Sequence, residues 1–129
     1  MDKNLNTAVI CLGGNTSDAG VCIAAALEFI MGCGCVRRSS GLYRTEPEYA
    51  GETEPYLNEV IEFATSLDYE RLQEQVKEYE SGVRAMCHAC GLVNLDIDVV
   101  YWNGAVVRQK DSVAAYFRTG MSKLESDCL

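Results

Sequence analysis

Apolar and polar positions alternate along this chain in two registers, and the changes of register mark its elements. Thr7 to Leu12 is a nearly unbroken apolar run ending in Gly13-Gly14-Asn15, which reads as a buried strand running into a turn. Thr16 or Ser17 is placed to cap a helix in which Ile23, Leu27 and Ile30 recur at i, i+4 and i+7, so one face packs on a sheet. Gly32 and Gly34 end it. Val36 to Thr45 reads as a strand made irregular by Gly41, and Glu46 to Pro55, which holds both prolines, as a loop. In the next strand, Tyr56 to Ser66, Leu57, Ile61 and Phe63 share one face while Tyr56, Asn58 and Val60 share the other. Asp68 caps a helix from Tyr69 to about Gly82, with Leu72, Val76 and Tyr79 as its stripe. After a loop from Val83 to Val93, the strand Asn94 to Trp102 places Leu95, Ile97, Val99 and Tyr101 on one side. Asn103-Gly104 signals a hairpin into Ala105 to Val107, and Val113, Phe117 and Met121 predict one more short helix.

The order strand, helix, strand, strand, helix, strand predicts an α+β, ferredoxin-like (βαββαβ) two-layer sandwich with helices on one face of an antiparallel sheet. A length of 129 residues with 48% hydrophobic and 23% charged positions suits a single domain spanning residues 1–129. The net charge of −8, with Arg37-Arg38 the one basic cluster, argues against nucleic acid as a partner. Met1 to Asn6 has no apolar core of a signal peptide, and Val21 to Val36 is too short and interrupted for a membrane span. The expectation is a soluble, cytoplasmic protein whose seven cysteines are reduced thiols. The pattern carries no information on oligomeric state.

Asp96 and Asp98 are the sharpest chemical feature. Residues two apart on a strand emerge on the same face, here opposite the apolar set, and Asp is depleted in strands. Either these are two solvated acids on a wet face, or a divalent cation joins them; Mg2+ takes one or two carboxylates, waters and substrate phosphates. Tyr56 and Asn58, together on a neighbouring strand, offer stacking area and a donor-acceptor edge of the kind a flat heterocycle needs.

Ala8 to Asn15 (AVICLGGN), Tyr43-Arg44-Thr45 followed by Pro47, Tyr56-Leu57-Asn58 and Leu95-Asp96-Ile97-Asp98 stand in the order and spacing of a known family. From residue 7 to about 108 the chain resembles the 6-hydroxymethyl-7,8-dihydropterin pyrophosphokinases. The resemblance implies transfer of pyrophosphate from ATP to the hydroxymethyl group of a reduced pterin, releasing AMP, in folate biosynthesis. It implies that Asp96 and Asp98 hold two Mg2+ ions bridging the ATP phosphates. Asn58 then reads the pterin edge with groups near Thr45, Tyr56 lines the pterin pocket, Glu80 contacts the nucleotide side, and Arg84 is a catalytic cation.

Several positions depart from the family's pattern. Leu92-Val93-Asn94 stands where Pro-Arg-Thr is usual, so a phosphate-clamping arginine is Val93. Gly82-Val83-Arg84-Ala85 keeps one arginine of two, Cys90 stands for a tryptophan, Gly14 for a serine, and Ala115 for a nucleotide-contacting histidine. The chain also ends a few tens of residues before a typical member. An arginine on transferring phosphates is worth about 10³–10⁵ in rate, so turnover is expected to be slow unless Arg84, Lys77, Arg108 or Arg118 substitutes. The alternatives are an inactive pterin- or nucleotide-binding relative, and a structural-zinc module built on Cys33, Cys35, Cys87 and Cys90.

Overall fold

A computed structural model describes residues 5–47, 54–83, 86–87 (backbone) and 92–126. Strand β1 (Asn6–Gly14) leads into helix α1 (Ala19–Met31), then β2 (Cys35–Ser39), β3 (Tyr43–Thr45) and β4 (Tyr56–Thr65). Helix α2 (Tyr69–Val83) follows, with a small ladder of β5 (Met86–Cys87) and β6 (Leu92–Val93), then β7 (Asp96–Trp102) and β8 (Ala105–Val106). Helices α3 (Gln109–Ser112) and α4 (Ala115–Ser126) complete the order. The main sheet runs β2-β4-β1-β7-β8, with β3 also on β4, and all its pairs are antiparallel. This is the expected α+β, ferredoxin-like arrangement. Among the described residues no helix is long and apolar enough to cross a membrane.

Alternation along the strands gives the sheet two apolar faces. Ile10, Leu12, Ile61, Phe63, Ile97 and Val99 pack against α1 and α2, whose buried stripes are Ile23-Ala26-Ile30 and Leu72-Val76. Phe29 and Tyr79 stack at 4.4 Å and tie the two helices together. The opposite face carries Val9, Cys11, Val60 and Val100, covered in part by Phe117 and Leu124 of α4. The tail helix thus makes a second, smaller core. Of the spaced set expected in it, Phe117 is buried, but Val113 lies before α4 and is exposed.

Three local expectations are corrected. The strand expected from Val36 to Thr45 is broken into β2 and β3, because Gly41 adopts a left-handed φ of 74° and Ser40 exchanges hydrogen bonds with the Val60 backbone. Asp18 rather than Thr16 or Ser17 stands at the N-cap of α1, and the Thr16 hydroxyl donates to its carboxylate. Tyr101 leaves the face of Leu95, Ile97 and Val99: the register steps from Ile10↔Val99 to Val9↔Tyr101, so Val100 is an extra residue. Beyond that bulge the faces exchange. Tyr101 meets Phe117 edge-on at 5.8 Å, and Trp102 turns to Tyr69 at 5.6 Å. The expected cap Asp68 does accept the Arg71 N–H, and Asn103-Gly104 turns the β7–β8 hairpin with φ of 50° and 84°.

Contact between α4 and the sheet is close enough to exclude a methyl group. A Cβ on Gly120 would lie 2.2 Å from the Tyr43 hydroxyl and 2.4 Å from Val60. Gly120→Ala is expected to destabilise the fold by about 1–3 kcal/mol through overpacking, read as a lower urea midpoint with an unchanged slope. Tyr43 itself donates to the Tyr116 carbonyl at 2.8 Å. Burial first, then the neighbouring Cys11, raises its phenol above the ordinary 10.0, against a lowering backbone hydrogen bond from Gly120. The folded state therefore holds this proton more tightly than the unfolded chain. The corresponding stability is complete below the ordinary phenol pKa and is lost as pH rises beyond it. Tyr43→Phe is expected to lose about 1 kcal/mol near neutrality and to show a shallower alkaline decline in urea midpoints than wild type.

Candidate active site

A cavity of about 400 Å³ opens on the sheet face that carries the second core. Its floor is made by Cys11 and Gly13 of β1 and by Asp96 and Asp98 of β7, which the register places side by side as Gly13↔Asp96 and Cys11↔Asp98. The two carboxylates project into one concavity because the bulge at Val100 lies beyond them and leaves their alternation intact.

Thr45, Tyr56 and Asn58 form one wall. Asn58 is 2% exposed, and its amide nitrogen donates to the Thr45 hydroxyl at 2.8 Å. Gly13 lies directly across from it, and a Cβ there would come within 2.8 Å of the Asn58 amide oxygen. Glycine at this strand end is what lets the amide sit at the cavity floor. The structure thus brings Thr45, Tyr56, Asn58, Asp96 and Asp98 to a single cavity.

The opposite wall carries charge of both signs. Lys77 arrives from α2, beside the Ile97 backbone of β7, and its ammonium lies 3.0 Å from Asp98 Oδ1. Arg108 stands 3.7 Å from the same oxygen, and its Nε donates to Asp111, which also accepts from the Tyr116 hydroxyl. Burial lowers the affinity of the Arg108 guanidinium for its proton, but the Asp111 hydrogen bond and the charges of Asp98 and Asp111 outweigh that and raise it. Lys110 and Glu46 complete the lining.

Glu80 is not among the residues that line the cavity. It is 6% exposed, accepts the Ile97 backbone N–H at 2.6 Å and pairs with Lys77 at 3.3 Å. The physical reason is the edge of β7: among the described residues β8 pairs with it only at Tyr101 and Trp102, so the Ile97 N–H finds a side chain instead. Arg84 lies outside the described residues, as do His88, Cys90 and the Cys87 side chain of the zinc alternative. Cys33, free and half-buried, donates to Gln75, and Cys35 is exposed. Among the described residues no group of three or more His, Cys, Asp or Glu is arranged to hold a metal. Arg118 is exposed and away from the lining, and Ala115 opens α4 as an exposed residue.

The turn after β1 explains two of the departures. The Asn15 N–H donates to the Val93 carbonyl at 2.8 Å, and its side-chain oxygen accepts the Val93 N–H at 2.6 Å. A Cβ on Gly14 would lie 2.5 Å from the Asn94 carbonyl oxygen. The close backbone approach requires glycine at position 14, and Val93 is anchored through its main chain without bringing a cation to the site. Sequence reasoning did not find Cys11, Lys110, Asp111 or Tyr116. Cys11 was accessible as the residue alternating with Gly13; Asp111 and Tyr116 are brought in by the packing of α3 and α4, which no spacing announces.

An α+β domain that joins a carboxylate pair, a buried amide and a cationic wall in one cavity has the chemistry of a site for a small, phosphate-bearing ligand pair. The chain belongs to the 7,8-dihydro-6-hydroxymethylpterin-pyrophosphokinase family, whose model matches residues 9–124. Membership supports a pterin pyrophosphokinase role in folate biosynthesis, with ATP and a pterin as the family's substrates and Mg2+ as its ion. No individual curated protein matches it.

Cys11 gives this site a chemical signature. Its thiol is pushed far above the usual range by burial, then by Asp98, Asp111 and Asp96. The thiolate is the reactive species, so iodoacetamide at mildly alkaline pH is expected to label exposed Cys35 rapidly and Cys11 only on unfolding, as followed by peptide mass spectrometry.

Proposed function

We propose that this chain transfers pyrophosphate from ATP to the hydroxymethyl group of a reduced pterin, and does so slowly. The observation that carries the reading is the shared cavity: Asp96 and Asp98 stand on its floor beside a wall made of Thr45, Tyr56 and Asn58. The donor chemistry fits Mg2+, a hard cation that is satisfied by one or two carboxylates together with water and phosphate oxygens. Asp96 and Asp98 are the residues that would hold it. Bound there, such an ion neutralises charge on the transferring phosphates.

The remaining work is positional. Asn58, steadied by the Thr45 hydroxyl, offers an amide edge to the pterin, and Tyr56 contributes stacking area beside it. Arg108 and Lys110 face the polyphosphate from the opposite wall, and the family resemblance makes Arg84 a further catalytic cation. Glu80 acts through Lys77 and the Ile97 backbone, holding the metal-binding strand in place. Slow turnover follows from the clamp: Val93 brings no guanidinium, and Arg108 already shares its charge with Asp111 and Asp98.

The test is release of AMP from MgATP, followed chromatographically with and without 6-hydroxymethyl-7,8-dihydropterin. Slow, pterin-dependent AMP formation is expected, falling by about 10²-fold or more in Asp96→Asn. ADP as the product, or AMP release indifferent to the pterin, would overturn the assignment. Pterin binding by calorimetry with no AMP formed would favour the binding-only relative, a reading supported by the absent clamp.

A further inference from the structure

Asp111 is a buried carboxylate to which the proposed reaction gives no role. It is 6% exposed and lines the cavity, and two donors converge on it: the Arg108 Nε–H on one oxygen and the Tyr116 hydroxyl on the other. Both partners are themselves held. The Arg108 backbone is fixed between β7 and α3, its N–H donating to the Val100 carbonyl at 3.4 Å and its carbonyl accepting the Ser112 N–H at 3.0 Å. The Tyr116 carbonyl accepts the Tyr43 hydroxyl at 2.8 Å, which ties α4 to β3 and so to the wall that contains Thr45. Asp111 is the point where these elements meet.

A guanidinium is a flat fork on a long stem, and its direction decides what it can hold. Asp111 takes the Nε edge of Arg108. Nη1 lies 3.7 Å from Asp98 Oδ1, so the Nη end of the fork faces the cavity floor. The Arg108 side chain is 41% exposed and that of Asp111 8%, so the anchor is buried while the fork is open to a ligand. Two Nη groups side by side match two oxygens of a phosphate. On the reading of the cavity as an ATP site, we propose that Asp111 is a positioning residue, which aims the Arg108 fork at the polyphosphate and thereby sets nucleotide affinity. Sharing charge with Asp111 weakens the cation, but the same contact gives it direction. A side chain already oriented loses less freedom when its ligand arrives.

Two neutral substitutions separate direction from charge. Asp111→Asn keeps an oxygen for the Arg108 Nε–H, and Asp111→Ala removes it; Asp111→Ser, too short to reach, stands in should the alanine variant fail to fold. Magnesium tripolyphosphate and MgATP are titrated calorimetrically, and the KM for the pterin is taken from AMP release. Asp111→Asn is expected to bind both polyphosphates at least as tightly as wild type. Asp111→Ala or Asp111→Ser should bind them about tenfold more weakly than Asp111→Asn, with the pterin KM unmoved. In an Arg108→Met background the asparagine and alanine variants should bind alike, an outcome that a merely structural role for Asp111 would not give. Equal affinities of the two neutral variants while Arg108 is present, or a difference between them that survives Arg108→Met, would overturn the proposal. Tripolyphosphate binding that follows the expected pattern, with no binding of MgATP, would instead count against the nucleotide reading and leave the role of Asp111 standing. Wild type that binds neither ligand would overturn both.

Discussion

Among the described residues no strand pairs with the outer edge of β7 at Ile97, between the two aspartates, and the rest of the site depends on how that edge is closed. A strand segment without a neighbour leaves backbone groups that must find partners elsewhere. Here α2 reaches across: Glu80 takes the Ile97 N–H, and Lys77 gives a proton donor to the Ile97 carbonyl. Ile97 itself is fully buried in the core on the helix side. Pinned by its side chain on one face and its main chain at the edge, this residue fixes the two acids that flank it. Lys77 at the same time places its ammonium 3.0 Å from Asp98, so one α2 residue serves both the strand edge and the cavity.

The two faces of the sheet divide the labour. Against α1 and α2 the sheet packs a continuous apolar core, which supplies the rigid frame. On the other face α4 covers only part of the surface, and the cavity continues from that smaller core, with Cys11 belonging to both. The bulge at Val100 marks the division along β7. Before it the polar positions point into the cavity; after it Tyr101 turns inward to complete the packing of Phe117. Acids and aromatic packing thus come from one face of one strand without competing for the same space.

The substitutions relative to the family's pattern are mutually consistent. Glycine at position 14 admits the Asn94 carbonyl, and Asn15 then clasps the Val93 main chain with its backbone N–H and its side-chain oxygen. That clasp holds only the main chain of Val93 and is indifferent to its side chain. The fold therefore tolerates loss of an arginine there, while among the described residues the cavity's positive charge comes from Lys77, Arg108 and Lys110. Lys77 and Arg108 are already paired with carboxylates of the same cavity, Asp98 and Asp111. A site whose cations are already partnered binds phosphate against internal competition, which is a physical basis for slow chemistry.

Alternation and helical spacing alone determined most of this architecture. The order of strands and helices, the Asn103-Gly104 turn, the cap at Asp68 and the joint projection of Asp96 and Asp98 all follow from local periodicity, which is a property of neighbouring residues. Tertiary structure decided what depends on distant residues meeting. It interrupted the strand at Gly41 and inserted Val100 so that Tyr101 changed faces. It drew Glu80 to the backbone edge of β7, a contact that no local spacing announces. It also brought Cys11, Asp111 and Tyr116 to the carboxylates from three separate elements. Periodicity shows which way a side chain points from its own backbone; which partner waits there is set by the closing of the whole sheet.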